Sequence, residues 1–194
     1  MHHIYHTHGF ILNSRNTGEA NKMLTVYTRE MGLVRVACQG VRLAKSKLRF
    51  ALQDFSYTKI DLVRGKELWR VTSATNISSF PYARSDHQSL LLIARISKLL
   101  ERVCDGEEES GIIFNDFIQA LYLLDDTSVQ TSTREALELH LVLRIMNTLG
   151  YIGDSTILSE YLSTPFDKIE ESSILKERQS IIAHINKALN ESQL

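Results

Sequence analysis

The chain has 194 residues, of which 43% are hydrophobic and 23% charged, the balance of a globular protein able to bury a core in one large domain or two small ones. No apolar run approaches the ~18 residues of a membrane span, and the longest candidate, Leu90 to Ile96, is interrupted by Arg95. The net charge of −1 hides an asymmetry, because residues 1–80 hold twelve Lys or Arg against five Asp or Glu, and residues 81–194 hold ten against eighteen. That shift predicts two domains, 1–80 and 81–194, and gives any nucleic-acid contact to the first. The opening MHHIYHTHGF lacks the cationic and apolar regions of a secretory signal, so none is expected. Cys38 and Cys104 lie far apart, with no partners at metal-ligand spacing, as expected of free thiols in a reducing cytoplasm.

Residues 4–12 and 23–28 are rich in β-branched and aromatic side chains and predict strands, with a polar loop over 13–21. Gly32 allows a tight turn at positive φ, and 33–38 alternates so that Arg35 faces away from Val34 and Val36. Residues 55–63 alternate too, Arg64-Gly65-Lys66 turns the chain, and 68–74 returns it. Five short strands of this kind fit a closed OB-type barrel, whose loops and open face commonly bind oligonucleotides. After Phe80-Pro81 the period becomes helical. Asp86 is placed to cap a helix running to about Val103, and a second, apolar on nearly every side, spans 112–124. Ser132 to Glu135 reads as a capping box for a third helix that stops at Gly150, and 175–189 closes with a last amphipathic helix. Residues 151–173 read as irregular, with a short helical turn near 157–162. The expected fold class is therefore α+β, a five-stranded OB-type barrel followed by a helical bundle.

The chemically distinctive stretch is Val36 to Phe55. Arg42, Lys45, Lys47 and Arg49 occur there with no acidic residue before Asp54, interleaved with Val41, Leu43, Leu48, Phe50 and Leu52. Apolar side chains pinning a segment to a core while its cations face outward would make a ridge for a phosphate backbone; a plain solvated face is the competing reading. On charge alone Arg35, Lys59, Arg64, Lys66 and Arg70 extend the candidate DNA-binding set. Trp69 and Tyr57 stay open between base-stacking platforms and core. Arg95, Lys98 and Arg102 form one helical stripe that would suit an acidic peptide, or a salt-bridged face. His2, His3, His6 and His8 offer two ligands on one strand face but no third, so no metal is expected. The run Glu107-Glu108-Glu109 reads as a solvated turn. No phosphate loop, serine-nucleophile elbow or zinc-protease motif is present in the sequence, and neither an enzyme nor a bound cofactor is expected.

Taken in order, G-F-I-L at 9–12, G-E at 18–19, L-T-V-Y-T-R-E-M-G at 24–32, Q-G-V-R at 39–42, K-S-K-L-R at 45–49 and L-Q-D-F at 52–55 resemble the N-terminal domain of the bacterial DNA repair protein RecO family. The helical half, including L-G-Y at 149–151, matches more loosely. The resemblance implies a recombination mediator in the cytoplasm, at the nucleoid. Such a protein binds single- and double-stranded DNA, anneals complementary strands, pairs with RecR, contacts the acidic C-terminal tail of single-stranded-DNA-binding protein and helps load RecA. It places DNA binding on Arg42, Lys45, Lys47 and Arg49. Many members carry a four-cysteine zinc site after L-G-Y; residues 152–173 here contain no cysteine, so other contacts must hold that segment. The chain is also short for the family, which would trim the helical domain. Two alternatives remain: an adaptor whose helical domain docks proteins, and an RNA-binding OB-fold protein.

Overall fold

A computed structural model describes residues 3–104, 106–107, 111–152, 156–168 and 170–191. The first half is a closed barrel of five strands, β1 (Ile4–Thr17), β2 (Asn21–Thr28), β3 (Gly32–Cys38), β4 (Tyr57–Arg64) and β5 (Trp69–Ser78), in the order β1-β2-β3-β5-β4. All neighbours are antiparallel except β3 and β5, which run parallel over Val36↔Trp69 and Ala37↔Arg70. A short helix, α1 (Leu48–Ala51), interrupts the β3–β4 connection. This is the OB-type barrel that the alternation of the sequence indicates.

Its interior is built from alternate residues: Ile11, Leu24, Val26, Val34, Val36, Ile60, Leu62 and Trp69 are buried together. Gly9 shows how closely the strands approach. A Cβ built there would stand 2.7 Å from a methyl of Val26, so the glycine is set by packing. Residues 13–17, expected as loop, instead continue β1 past a bulge between Ile11 and Asn13 and pair with 21–25. Their polarity misleads because Asn13 and Arg15 face outward while the ladder satisfies their backbone. Gly32 turns at φ +60°, as its position requires.

Contacts group Met1–Phe80 with Cys104–Phe114 as one compact unit, and Pro81–Val103 with Asn115–Leu194 as another. In the first unit Phe114 lies against Tyr27 and Tyr57, and Phe80 against Phe10, at centroid distances of 5.9 to 6.3 Å. Leu33 N–H donates to the Gly106 carbonyl at 3.0 Å. The segment after Val103 is thus part of the barrel's own packing.

The second unit is helical: α2 (Pro81–Ser85), α3 (His87–Val103), α4 (Gly111–Leu124, from Asn115 onward), α5 (Thr131–Thr148), α6 (Thr156–Ser163), a 3₁₀ turn (Phe166–Lys168), α7 (Glu171–Lys176) and α8 (Arg178–Glu191). Asp86 caps α3 through Ser89 N–H at 2.8 Å, and Gly150 at φ +77° ends α5, with Tyr151 N–H on the Met146 carbonyl. The expected capping box does not form. Gln130 is the N-cap, and Thr133 Oγ instead bonds Glu171 at 2.7 Å.

Two side chains of α5 hold the segment that follows Gly150. Arg144 grips Asp116 with two nitrogens (2.7 and 3.1 Å) and donates to the Leu162 carbonyl at 3.0 Å, a bidentate, charge-assisted clamp. His140, fully buried, donates from Nε2 to the Tyr161 carbonyl at 2.7 Å and packs on Phe166. That bond fixes the Nε2–H tautomer, and Nδ1 has no partner among the described residues. Burial, with Arg144 nearby, holds the His140 pKa down at about 4. The unfolded chain therefore takes up a proton near pH 6.5 that the folded chain refuses. Stability from this site is present above that pH and is lost as pH falls toward 4. We expect the melting free energy to drop by roughly 2 kcal/mol between pH 7 and 5 from this residue. In His140→Gln, which keeps the donor but cannot titrate, chemical denaturation at the two pH values should show that much less difference.

Candidate nucleic-acid interface

The β3–β4 connection is anchored before it projects. Gly40 N–H donates to Asn21 Oδ1 at 2.8 Å, Arg42 N–H to the Ala20 carbonyl at 3.0 Å, and Arg42 Nη1 to the Gly18 carbonyl at 3.1 Å. Val41, Ala51 and Leu52 are buried, and Leu48 packs against the same core. The expected anchors Leu43 and Phe50 do not join them. They are 45% and 72% exposed, because a helical turn with Leu48, Ala51 and Leu52 inward must carry residue 50 outward. Lys45, Lys47 and Arg49 are exposed beside them. Arg42 is exposed too, but its side chain already bonds the β1–β2 turn, so it serves the loop's shape as well as its charge.

A second cationic group follows from the sheet register. Thr25 pairs with both Asn13 and Arg35, and Met23 with both Arg15 and Ala37; Ala37 in turn lies beside Arg70. Paired residues share a face, so Arg15, Arg35 and Arg70 collect around Met23 and Ala37 on the barrel's outer surface. Asn13, Arg15, Met23, Thr25 and Arg35 line a shallow depression of roughly 150 Å³ there. Arg15 was not among the sequence candidates, since its segment reads as loop. The signal available was its spacing of two from Asn13 on an extended strand.

The remaining candidates are scattered. Lys59 is outward on β4 opposite His8 and Thr75, away from that row, and Lys66 is exposed in the β4–β5 turn. Arg64 is engaged. Its Nη1 lies 2.6 Å from Glu107 Oε2, its guanidinium stands over the Trp69 ring at 5.1 Å, and Trp69 Nε1 donates to Glu107 Oε1 at 2.9 Å. Trp69 is therefore core, only 4% exposed, and not a platform for bases. Glu107 is not a solvated turn residue but a bridge between two barrel side chains; Glu108 and Glu109 lie outside the described residues, as does His2. Tyr57 is half-buried against Phe114 and His8. No described residue forms an ion pair with Arg15, Arg35, Lys45, Lys47, Arg49, Lys59, Lys66 or Arg70.

In the helical unit Arg95 is held by both oxygens of Glu138, at 2.6 and 2.7 Å, which also keeps its guanidinium protonated more firmly than usual. Lys98 and Arg102 remain exposed. His6 Nδ1 lies 2.6 Å from Asp61, and among the described residues no group of three or more His, Cys, Asp or Glu is placed to hold a metal ion. Burial pushes the Cys38 thiol up to about 12, so it is unreactive. No helix among the described residues is long and apolar enough to cross a membrane.

A closed OB-type barrel whose outer face and one loop carry cations without ion-pair partners among the described residues, joined to a helical domain, defines the class. The family described as "Recombination protein O N terminal" matches residues 1–80. The chain is 27% identical over 165 residues to the DNA repair protein RecO of Acetivibrio thermocellus, covering 84% of this chain and 64% of that protein. It is 30% identical to those of Alkaliphilus metalliredigens (66% of this chain, 52% of that protein) and Dehalococcoides mccartyi (72% and 55%). By these matches residues 1–80 are a domain of the RecO N-terminal family, and the chain spans between half and two thirds of the length of these curated relatives.

The Glu107 bridge generates a prediction. Glu107→Ala leaves the indole N–H of the half-buried bond without its acceptor and should cost about 1–2 kcal/mol in denaturant unfolding. The emission of Trp69, the single tryptophan of the chain, should shift. Unchanged stability and emission would show that water replaces the carboxylate at no cost.

Proposed function

We propose that this chain is a DNA-binding protein of recombinational DNA repair that acts as a mediator, without a catalytic step. The observation that carries the reading is the set of cations without ion-pair partners among the described residues. Lys45, Lys47 and Arg49 project from the anchored loop, and Arg15, Arg35 and Arg70 collect on the barrel's outer face, in a domain of the RecO family. Lys59, Lys66, Arg42 and the Glu107-bound Arg64 add field strength more than contacts. Neutralising phosphates releases counterions, so the affinity falls with salt and shows little sequence preference. It extends to single and double strands alike. Two strands held with neutralised backbones and free bases repel less, which favours annealing. The family membership supports the remaining steps of the reading: partnership with RecR, contact with the acidic tail of single-stranded-DNA-binding protein, and help in loading RecA on coated strands, in the cytoplasm. Of the stripe Arg95, Lys98 and Arg102, the last two have no ion-pair partner among the described residues and suit that acidic tail, with Arg95 less available because Glu138 holds it.

The test is binding of labelled single strand and duplex across a salt series, followed by addition of the complementary strand. Affinity should fall steeply with salt, and annealing should be faster than for the free strands. Lys45→Ala and Lys47→Ala should each flatten the slope of log K against log salt by about one unit. Binding that is absent at low salt removes DNA from the account, and an unaltered slope in both variants moves the contact to the barrel face of Arg15, Arg35 and Arg70.

A further inference from the structure

Phosphate contacts leave the most exposed large hydrophobic side chain of the described residues unused. Phe50 is 72% exposed on α1, and the backbone around it is not loose. Leu52 N–H bonds the Leu48 carbonyl at 3.0 Å, and Leu48, Ala51 and Leu52 fasten the turn to the core. The ring is thus presented from a fixed base, with Lys45, Lys47 and Arg49 exposed immediately before it in sequence. We propose that Phe50 is a stacking platform for an unpaired base, so that the loop reads single-stranded DNA by ring and phosphate together. The inference rests on the DNA-binding reading above and adds strand discrimination to it.

Three chemistries could cover an exposed phenyl ring. A second copy of the chain would bring Lys47 and Arg49 against their own equivalents, which charge opposes. A lipid surface calls for a broad apolar strip, and a helix of four residues whose other side is committed to the core offers one ring. An unpaired nucleotide supplies what the site lacks on both counts: a π-face for the phenyl ring and flanking phosphates for the ammonium and guanidinium groups. Bases inside a duplex are already stacked on both faces, so the ring adds nothing to duplex binding. The cations serve both forms of DNA; the ring serves one.

The experiment uses the full chain with a labelled oligothymidylate and a labelled duplex of equal length. Phe50→Ala should weaken single-strand binding by about five-fold or more, change duplex affinity by less than about two-fold, and leave the salt slope as it was. Because the side chain is exposed, the melting temperature should not move. Phe50→Trp should retain the affinity, and its new emission should be quenched on binding the single strand, read against the buried Trp69. Wild-type affinity of Phe50→Ala for the single strand overturns the proposal, as does an equal loss on both forms. A change in sedimentation, or in binding to vesicles of anionic lipid, without a change on oligothymidylate assigns the ring to a second copy or to a membrane and overturns it too. If the wild-type chain binds no DNA at low salt, the DNA reading itself fails; if it binds and Phe50→Ala is indifferent, only the stacking role fails.

Discussion

Closure of the barrel rests on its shortest seam. Four of the five strand contacts are antiparallel ladders of seven or eight residue pairs, while β3 and β5 share only two residue pairs. So short a ladder supplies little on its own, and the seam is held by what stands behind it. Val36 and Trp69 meet inside the core, Tyr5 packs edge-on against the indole at 5.0 Å, and Glu107 accepts the indole N–H from outside. Without the seam β3 and β5 would be open edges, a template for pairing with other chains. With it, the strands carrying Arg15, Arg35 and Arg70 are brought into one continuous surface.

The charges fall into two populations distinguished by their partners. Arg64, Arg95 and Arg144 are each matched to a carboxylate within 2.7 Å, and they organise the protein. Lys45, Lys47 and Arg49 of the α1 loop and Arg15, Arg35 and Arg70 of the outer barrel face have no such partner among the described residues, so a phosphate has only their hydration to displace. Exposed pairs contribute little to stability, which means the unpaired set costs the fold little to maintain. The Arg144 clamp differs, because Asp116 is only 8% exposed. There the desolvation of two charges is offset by the bidentate geometry and by the carbonyl that the same guanidinium also engages.

What could be read from the residues follows the two periods of the backbone. Strands β2 to β5 and helices α3 to α5 declare themselves by alternation or by 3.6-residue spacing, and the outward placement of Arg35 follows directly. Three things did not follow. Arg15 lay hidden because polar residues on an outer face look like loop until a partner strand supplies their hydrogen bonds. Phe50 was expected to be an anchor because hydrophobicity indicates burial on average, whereas one turn of helix has room to bury only one side. Glu107 was unreadable in principle, since three consecutive glutamates describe a solvated turn in composition and only the fold brings Arg64 and Trp69, about forty residues earlier, to meet one of them. The hold on the segment after Gly150 is of the same kind: a histidine and an arginine on α5 are ordinary helix residues until the chain folds back to offer them carbonyls.

The barrel's discontinuity has a consequence for how the chain comes into being. Eighty residues leave the ribosome carrying all five strands, but Gly106, Glu107 and Phe114, which bond Leu33, Trp69 and the rings of Tyr27 and Tyr57, are made only after α3. A nascent barrel therefore waits, without the acceptor for its indole nitrogen and without Phe114 against its two tyrosine rings, through the synthesis of about twenty-five to thirty-five more residues, a second or more at ordinary translation speeds. The helix made in that interval is the tether that delivers the missing pieces. The shift of charge at residue 80 thus falls inside the span of sequence from which the barrel's unit draws its contacts.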